Sequence, residues 1–473
     1  MLVLEEKVRS DLFGNCQVKP GQMLAVGFSG GADSLCLLKV LCGLPVKVIA
    51  VHFDHQLRPQ SGREAQLCRE IAGNFGCEFA SGQGDVREFA AKNKLSIEEA
   101  ARILRYRFIS SIAMNRHADA VAVAHHADDQ VETVLMHLIR GAGAGGLAGM
   151  HFRSPDPLGE SPIPIIRPLL GVWRNEILQF CRENDLTPLE DPTNMDATYF
   201  RNSIRLDLVP NLQTYNPQIK QHIWQTAALL ADENDALDNL AADQVSNVVR
   251  ERGEHWVKVN QRVFTNLPVW LKRRVLRKIL FDLKSTLRDV DYSQLENALN
   301  FLDNPLNGKT CQVEADFEIF RFDPQNVIVS RRHQPLVDLW PQIDFDLKPI
   351  SVSETALEFP GGWFFTARWL ENRECPVNEN PWKASLDADR LPGPLSIGKR
   401  RFGESFMPFG MGGEKVKLGD FFTNVHLPAR ARNRWPLVRS GDEVVWVPGF
   451  RIAESCRVTS RTRQLLQMEL TKK

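Results

Sequence analysis

The feature that most constrains this chain is a run of small and hydroxylated residues between an apolar strand and a helical pattern. It lies in AVGFSGGADSLCLLKVL, residues 25–41. The adjacent glycines Gly30 and Gly31 allow the backbone to approach a ligand closely. The first N–H groups of the following helix have no partners within that helix, and its dipole favours an anion. The pattern predicts a phosphate-binding turn, although the lysine of the common G-x-x-x-x-G-K-[ST] loop is absent.

Strand and helix patterns alternate through the first two hundred residues. Short apolar runs predict strands at 23–28, 46–53 and 118–124. Helices are predicted at 33–41, 62–75, 96–117 and 128–140, the third with a capping box from Ser96 to Glu99. This alternation favours an α/β fold with a doubly wound, mostly parallel sheet, whose ligand site lies at the carboxyl ends of the strands. The polar residues Ser29, His52 and His125 lie at the carboxyl ends of the three predicted strands.

Composition limits the class of protein. The 473 residues suffice for about three domains of ~150 residues each. The 58 basic and 58 acidic side chains cancel, so net charge alone indicates no polyanionic partner. Nine cysteines without a C-x-x-C pair favour a reducing cytoplasm over a disulfide scaffold. The chain start lacks the apolar core of a signal peptide, and no apolar stretch approaches the ~20 residues that span a bilayer. We therefore expect a cytoplasmic protein without a membrane partner.

A second polar stretch, HHADDQVET at 125–133, follows the third predicted strand. Asp129 and Glu132 match the spacing of a D-x-x-E capping box, so a well-capped helix explains them without any chemistry. Clustered carboxylates also suit Mg²⁺, or a cationic amine that must be bound and deprotonated. The two histidines lack an evident third ligand, which argues against zinc. The glycine-rich run at 141–149 is either a flexible connection or a loop that closes over substrate.

The pattern changes after residue 216, where a long helical segment without strands extends to 252. Further helical patterns lie at 267–284 and 291–302, and β-like runs lie at 311–322 and 327–332. The Pro- and Asp-containing stretch 333–350 indicates a linker, and short strands with Gly and Pro turns follow it. These shifts predict three domains: an α/β domain at 1–215, a mainly helical domain at 216–335 and a small β-rich domain at 351–473.

The last domain is rich in basic side chains. Residues 390–463 include fourteen basic and six acidic residues, interleaved with aromatic residues such as Phe402 and Trp435. Basic and aromatic side chains together are typical of an RNA-binding face, although a solvated charged surface also explains a charge run. The candidate RNA contacts are Arg430, Arg432 and Arg434, with Arg274 and Arg277 as a second set on the helix at 267–284.

The motif SGGxDS at 29–34 resembles the loop of the PP-loop ATP pyrophosphatases. Further segments extend the resemblance to one family, the tRNA(Ile)-lysidine synthetases. They are V-H-x-D-H-x-L-R at 51–58, E-A-A-R-x-x-R-Y at 99–106, H-H-x-D-D-Q-x-E-T at 125–133, R-G-x-G-x-x-G-L-x-G-M at 140–150, R-P-L-L at 167–170, Asp191, Thr193 and Asn194 of D-x-[ST]-N, and R-N-x-I-R at 201–205. The match covers about the first 215 residues in order. Gln56 stands where the family usually has glycine. The later regions resemble the family's helical tRNA-binding region and C-terminal domain.

The resemblance implies an ATP-dependent ligation. ATP would adenylate the ring carbonyl oxygen of the wobble cytidine in an isoleucine tRNA with a CAU anticodon. Free L-lysine would then attack that carbon through its ε-amine and release AMP, leaving lysidine. The implied ATP-binding residues are Ser29, Gly30, Gly31, Ala32, Asp33 and Ser34, with Asp33 also a Mg²⁺ contact. The implied catalytic residues are Asp33, Asp129, Glu132, Arg102, Arg201 and Arg205.

Their chemistry suits such a reaction. Carboxylates can hold an ammonium group and accept its proton, and guanidinium groups can neutralise phosphate charge. A surface salt bridge also explains each arginine by itself. A PP-loop enzyme that thiolates cytidine is an alternative, but such enzymes use cysteines, typically in C-x-x-C pairs. A non-catalytic nucleotide- or RNA-binding module is a second alternative. The clustered carboxylates argue against it. A homodimer is an oligomeric state that the chain could adopt.

Overall fold

The computed structural model describes residues 3–57, 61–189, 200–284, 290–370 and 380–473. The chain divides into two compact units, Met1–Ala236 and Leu237–Lys473. The sequence predicts a boundary at 215 instead, and the three-domain division stays a prediction. Among the described residues, no helix is both long enough and apolar enough to cross a membrane.

The sheet of the first unit has six strands: β1 (Met23–Gly27), β2 (Lys47–Asp54), β3 (Glu78–Gln83), β4 (Ala120–Ala122), β5 (Arg153–Ser154) and β6 (Ile165–Ile166). Their order is β3–β2–β1–β4–β6–β5. All neighbouring pairs are parallel except β5 with β6. This confirms the predicted α/β class with a mostly parallel sheet.

Helices of the first unit connect and cover these strands. They are α1 (Val3–Ser10), α2 (Ala32–Cys42), α3 (Ser61–Asn74), α4 (Val86–Asn93), α5 (Ile97–Asn115), α6 (Ala127–Ile139), α7 (Ala144–Leu147), α8 (Arg174–Glu183), α9 (Phe200–Ser203) and α10 (Val209–Tyr215). The long helix α11 (Ile219–Val248) begins in this unit and ends in the second. Two π-helical turns, Asp11–Asn15 and Ile204–Leu208, follow α1 and α9. The predicted cap of α5 is confirmed, because the Ser96 hydroxyl accepts the Glu99 N–H at 3.2 Å.

The strand order reverses at β1, which lies between β2 and β4. Ligands of doubly wound sheets bind in the crevice outside the carboxyl ends of the strands at such a switch point. Successive residues of β1 face opposite sides of the sheet. Leu24 and Val26 therefore pack in the cluster that contains α2 and α8 residues, whereas Ala25 packs in the cluster that contains α5 residues. Apolar cores on both faces thus fix the segments that follow β1 and β4.

The loop after β2 contains the one departure from the family pattern. Gln56 has a φ of +52°, in the left-handed region that favours glycine. Its N–H donates to Asp54 Oδ1 at 2.8 Å, which holds the residue in this conformation. The loop therefore keeps a backbone geometry that suits the usual glycine better than glutamine.

The second unit contains a five-stranded antiparallel sheet whose strand order differs from the order of the strands along the chain. Its strands are β7 (Val249–Arg252), β8 (Trp256–Asn260), β9 (Thr310–Val313), β10 (Phe317–Arg321) and β11 (Asn326–Arg331). Their order is β7–β8–β11–β10–β9. The accompanying helices are α12 (Gln261–Thr265), α13 (Val269–Lys284) and α14 (Tyr292–Asp303). The prediction of a strand-free segment up to 252 is wrong, because α11 ends at Val248. The edge strand β7, VRER, is largely exposed and lacks an apolar signal.

The remaining strands form two larger sheets and a small hairpin. They are β12 (Leu347–Pro349), β13 (Ser353–Phe359), β14 (Trp363–Leu370), β15 (Lys383–Asp387), β16 (Leu395–Gly398), β17 (Ser405–Phe406), β18 (Val416–Lys417), β19 (Leu437–Ser440), β20 (Glu443–Val447), β21 (Arg451–Ile452) and β22 (Leu465–Lys472). The sheet orders are β12–β16–β19–β20–β21 and β13–β14–β22–β15, beside the pair β17–β18. Two short helices, α15 (Leu418–Asn424) and α16 (Ala429–Arg432), complete the unit. The predicted β-rich character is confirmed.

The segment 333–350 is a packed part of this unit. Leu336, Trp340 and Ile343 are only 1%, 3% and 1% exposed. They share an apolar cluster with Trp256 and Trp446, which lie far apart in the sequence. The prediction of a linker is therefore wrong, because the apolar side chains of this mostly irregular segment complete the core.

One member of the basic set in this unit lies inside the protein. The Arg439 side chain is completely buried, and its guanidinium donates to both Glu404 carboxylate oxygens at 2.7 and 2.8 Å. It also donates to the Lys399 carbonyl oxygen at 2.7 Å. A count of basic residues therefore overstates the charge that this unit offers to RNA.

Candidate active site at the switch point

The phosphate loop folds back on itself between β1 and α2. The Ser29 N–H donates to Ser34 Oγ at 3.2 Å, and the two hydroxyl oxygens are also 3.2 Å apart. The Ser34 hydroxyl donates to the Gly31 carbonyl oxygen at 3.0 Å. Among the described residues, no side chain caps the N terminus of α2. Its first N–H groups are therefore available to an anion.

The two glycines of this loop differ in whether another residue type would fit in their place. Gly30 has a φ of +81°, and a Cβ there would lie 2.5 Å from Leu189 Cδ1. Gly31 has a φ of −66°, and among the described residues a Cβ there would touch only Ser29 Oγ, at 3.6 Å. The fold therefore requires a glycine at Gly30, whereas no described residue fills the space beside Gly31.

Asp33, in the first turn of α2, has one carboxylate oxygen in contact with basic groups and one without a partner. Oδ2 lies 3.3 Å from Arg174 Nη1 and 3.8 Å from His126 Nε2. Oδ1 is buried and has no hydrogen-bond partner among the described residues. Burial raises the pKa of Asp33, against the opposing charges of His126 and Arg174. A buried polar atom without a partner is costly, so this oxygen indicates a bound ion or ligand.

His126 joins α2 to α6 and is almost fully buried. Its Nδ1 accepts the Asp129 N–H at 3.3 Å, and the Asp129 carboxylate accepts the His126 N–H at 3.0 Å. His126 and Asp129 thus form the capping box of α6. Since Nδ1 is an acceptor, Nε2 carries the ring proton, 3.5 Å from Asp129 Oδ2. The predicted capping box of Asp129 with Glu132 is wrong, because the N-cap of α6 is His126, three residues before Asp129.

Glu132 belongs instead to a cluster of two carboxylates and two guanidinium groups. Arg201 donates to Glu132 Oε2 at 2.8 Å and to Asp129 Oδ1 at 2.9 Å. Arg205 donates to Glu132 Oε1 at 2.5 Å and to Asp129 Oδ1 at 3.4 Å. The Glu132 side chain is 3% exposed, and those of the arginines are 29% and 27% exposed. The structure therefore brings together four of the six predicted catalytic residues, with Asp33 adjacent through His126.

The charges of this cluster fix the protonation of Asp129. Burial alone would raise its pKa, but His126, Arg201 and His125 outweigh that effect and lower the pKa to about 2. The carboxylates in turn raise the pKa of Arg201 and of Arg205 above the ordinary arginine value, despite burial. Asp129 is therefore ionised at neutral pH and is a weak base.

Asp128 contacts a second set of groups that the sequence did not indicate. Its carboxylate contacts the Lys220 ammonium and accepts the Arg174 N–H at 2.9 Å. The Lys220 Nζ also lies 5.0 Å from the centre of the Trp173 ring. Asp128 thus joins α6 to the starts of α8 and α11, and it positions Arg174 beside Asp33.

The glycine-rich run 141–149 is held against α6. The buried Gln130 amide donates to the carbonyl oxygens of Ala148 and Met150 at 3.1 and 3.0 Å, and it accepts the Met150 N–H at 2.7 Å. His137 Nδ1 lies 2.6 Å from the Gly146 carbonyl oxygen. Gly149 has a φ of +66°, and a Cβ there would collide with Gln130 at 2.7 Å. The run is thus an ordered connection in this structure, and its glycines permit the close contact.

Two histidines with buried ring nitrogens, His55 and His125, make stability depend on pH. Burial lowers the pKa of His125 to about 3 and that of His55 to about 4. Both values lie below the ordinary value near 6.5, so the unfolded chain binds more protons between about pH 4 and pH 6.5. We expect the free energy of unfolding to fall as the pH falls through this window, by at most about 1.4 kcal/mol per pH unit for each histidine. Chemical denaturation at several pH values measures the slope.

The matched variants are His125→Gln and His222→Gln, since His222 is exposed. The first should flatten the pH dependence between pH 4 and pH 6.5, and the second should leave it unchanged. An unaltered slope in His125→Gln would show that His125 does not contribute.

Arg102, the remaining predicted catalytic residue, contacts a ring on its own helix. Arg102 is on α5, with Cζ 5.4 Å from the centre of the Tyr106 ring. Among the hydrogen bonds of the described residues, none joins Arg102 to Asp33 or to the Asp129–Glu132 pair. Its catalytic role stays a prediction. Four motif residues lie outside the described part of the chain: Arg58, Asp191, Thr193 and Asn194.

The predicted RNA contacts fall into two groups. Arg430 contacts the Glu318 carboxylate and the Gln334 carbonyl oxygen, and it donates to Ser330 Oγ at 3.3 Å. Arg274 pairs with Asp238. The guanidinium groups of these two residues are thus occupied within the protein.

Arg432 is also held internally, donating to Leu427 O and to Thr423 Oγ1, both at 2.9 Å. Arg277 and Arg434 are exposed, and neither forms a side-chain hydrogen bond or an ion pair with any described residue. These two arginines are therefore the candidates that remain most accessible to RNA.

Comparisons with known proteins agree with this geometry. A family model described as a PP-loop domain matches residues 4–212, and one described as a TilS substrate C-terminal domain matches 395–468. A tRNA(Ile)-lysidine synthase of Dehalococcoides mccartyi is 30% identical over 475 residues, covering 99% of each chain. The enzymes of the same name from Geobacillus kaustophilus and Bacillus subtilis are 33% and 30% identical, each covering 94% of both chains.

The parallel sheet with its SGGxDS turn, together with the first family match, defines a PP-loop enzyme of the nucleotide-binding class. The relatives match this chain over nearly its whole length and share one name. The chain belongs to the tRNA(Ile)-lysidine synthase family.

Proposed function

We propose that this protein ligates free L-lysine to the wobble cytidine of an isoleucine tRNA with a CAU anticodon, converting ATP to AMP and pyrophosphate in the cytoplasm. The supporting observation is that the phosphate loop and the acidic cluster lie next to each other, on either side of His126. Asp33 and Asp129 lie 3.8 and 3.5 Å from the same atom, His126 Nε2. A nucleotide bound at the loop is thus adjacent to the carboxylates that can hold an amine.

In the first step the ring carbonyl oxygen of cytidine attacks the α-phosphorus of ATP, and pyrophosphate leaves. The oxygen then carries AMP and becomes a good leaving group. The loop from Ser29 to Ser34 and the N terminus of α2 stabilise negative charge on the phosphates. Because the γ-phosphoryl group is not transferred, the lysine of the G-x-x-x-x-G-K-[ST] loop is not needed.

The donor set at Asp33 fits a Mg²⁺ ion. Mg²⁺ in nucleotide sites is held by one or two carboxylates together with substrate phosphates. Asp33 supplies a buried carboxylate oxygen without a partner. Among the described residues, no group of three or more potential ligands could hold a metal alone, so phosphates would complete the shell. Such an ion neutralises phosphate charge, and Arg174 holds the other oxygen of Asp33 in place.

In the second step the neutral ε-amine of lysine attacks the activated carbon and displaces AMP, and the proton that the nitrogen releases passes to solvent water. We assign the binding of the lysine ammonium to Asp129 and Glu132. A carboxylate with a pKa of about 2 holds a cation well but accepts a proton poorly, so Asp129 is a binding group and not the base. Arg201 and Arg205 neutralise this pair without substrate and can turn to phosphate as charge develops.

The decisive experiment incubates the full chain with ATP, Mg²⁺ and the transcribed CAU tRNA, offering amino acids one at a time. We expect AMP release and covalent incorporation that require both the tRNA and lysine. Incorporation of another amino acid, sulfur transfer in place of ligation, or AMP release without lysine would contradict the proposal.

The glycines of the phosphate loop should have separable roles. Gly31→Ala should fold with an unchanged melting temperature but bind ATP at least about tenfold more weakly, because among the described residues its methyl group meets only Ser29 and enters the space where the phosphates would lie. Gly30→Ala should lower the melting temperature, because a methyl group collides with Leu189 and φ is positive. Thermal unfolding with and without ATP measures both effects. A wild-type ATP affinity in Gly31→Ala would remove this face of the loop from the nucleotide site.

The exposed arginines should contribute to RNA affinity by pairing with phosphates. Arg277→Ala and Arg434→Ala should each reduce the slope of log K against log salt by roughly 0.7–0.9, the effect of one phosphate that is no longer neutralised. Arg430→Ala should instead lower the melting temperature, because it leaves the Glu318 carboxylate without its partner. Titrations with tRNA at several salt concentrations test this. A truncation near residue 381 is a poor test, because it removes both β22 and β15 and leaves β14 without its neighbour β22 in the sheet.

An unchanged salt slope in the double variant Arg277→Ala, Arg434→Ala would exclude both residues from RNA binding. A fall in melting temperature with that unchanged slope would assign them a structural role.

A further inference from the structure

We propose that Phe200 and Arg140 form a platform on which an RNA base next to the reacting cytidine stacks. The proposal rests on the tRNA ligation proposed above. Phe200 is 44% exposed and immediately precedes Arg201, whose guanidinium holds Glu132 at 2.8 Å. The Arg140 Cζ lies 5.7 Å from the centre of the Phe200 ring. An aromatic ring and a cation are thus paired beside the acidic cluster.

The chemistry of this pair suits an unstacked nucleobase. Proteins that recognise single-stranded RNA stack bases on aromatic rings and on guanidinium planes, and arginine also attracts the phosphate backbone. Leu138 and Ile139, which precede Arg140 in the chain, are each 56% exposed. The C-terminal end of α6 therefore presents apolar surface together with a positive charge, which complements a base and its phosphate.

The position along α6 determines which base would stack. Arg140 is eight positions after Glu132, which is about 12 Å at a rise of 1.5 Å per residue. Glu132 lies in the acidic cluster where lysine would meet the reacting carbon. The Arg140 end of the platform therefore lies about two helical turns beyond the acidic cluster, which suits a nucleotide next to the reacting cytidine better than the cytidine itself.

The test uses an anticodon stem-loop RNA with 2-aminopurine replacing the adenosine that follows the reacting cytidine. Binding to the wild-type chain should quench the fluorescence of 2-aminopurine, because a stacked base is quenched. Phe200→Ala should raise the Kd at least about fivefold and abolish the quenching, whereas Phe200→Trp should retain both.

Met114→Ala is the matched control, because Met114 is 42% exposed and lies at the C-terminal end of α5, before β4. It should leave Kd and quenching unchanged. A wild-type Kd and full quenching in Phe200→Ala would overturn the proposal, as would a lowered melting temperature with an unchanged Kd. The binding readout needs neither ATP nor lysine, so it decides this point even if wild-type chain forms no lysidine, which would contradict the proposed ligation alone.

Discussion

An Asp33→Asn variant should release AMP at least about a hundredfold more slowly than the wild type. Its free energy of unfolding should equal or exceed that of the wild type. The loss in rate, about 2.7 kcal/mol of transition-state stabilisation, is expected because asparagine removes the charge that meets the phosphates and their ion. Single-turnover AMP release in the presence of tRNA measures it.

The stability half of this prediction follows from the raised pKa of Asp33. A carboxyl group whose pKa is higher in the folded state favours folding at low pH, and this contribution is lost as the pH rises through the folded-state pKa. At neutral pH the buried charge therefore costs stability, and asparagine removes that cost. The control is Asp232→Asn, an exposed aspartate on α11. AMP release within about threefold of wild type would remove Asp33 from the mechanism.

A Glu132→Gln variant should lose roughly 2–4 kcal/mol of unfolding free energy and raise the apparent KM for lysine at least about tenfold. The first effect arises because two guanidinium groups lose a buried counter-charge. The second arises because an ammonium needs an anionic neighbour, whereas ATP phosphates do not. Adenylate formation should be affected less than lysine use. Chemical denaturation, together with lysine titrations of the folded variant, separates the two effects.

The capping explanation no longer applies to Glu132, because His126 and Asp129 cap α6. The exposed Glu98 provides a matched Glu98→Gln control that should change neither quantity. Destabilisation with a wild-type KM for lysine would make the cluster purely structural and would move ammonium binding to another group.

The strands that the sequence predicted are those with continuous apolar runs. β1, β2 and β4 are buried on both faces at the centre of the sheet, so their sequences carry a strong signal. β5 and β6 have two residues each, which is too short for a pattern. β7 is an exposed edge strand of mostly charged residues, and the helical pattern before it extended the prediction too far.

The site follows a similar rule: contacts between residues close in sequence could be predicted, and contacts between distant residues could not. The phosphate loop depends on neighbours such as Ser29 and Ser34, so its motif could be recognised directly. His126, Arg174 and Lys220 were missed as site residues. Histidine is an uncommon helix cap, and Arg174 is 141 residues from the Asp33 carboxylate that it contacts. The adjacency of His126 to two aspartates was the one local signal that could have identified it.

Residues that meet in the crevice are widely separated in sequence, and this bears on the order of events during synthesis. Arg201 and Arg205 follow the Glu132 carboxylate that they hold by 69 and 73 residues. A nascent chain that ends before these arginines can build β1, β2 and β4, yet it buries two carboxylates beside a histidine without their counter-charges. In such an intermediate the two carboxylates lack their arginine partners, so the acidic cluster should form late in folding. A ribosome-bound fragment should therefore form the sheet before it forms the active site.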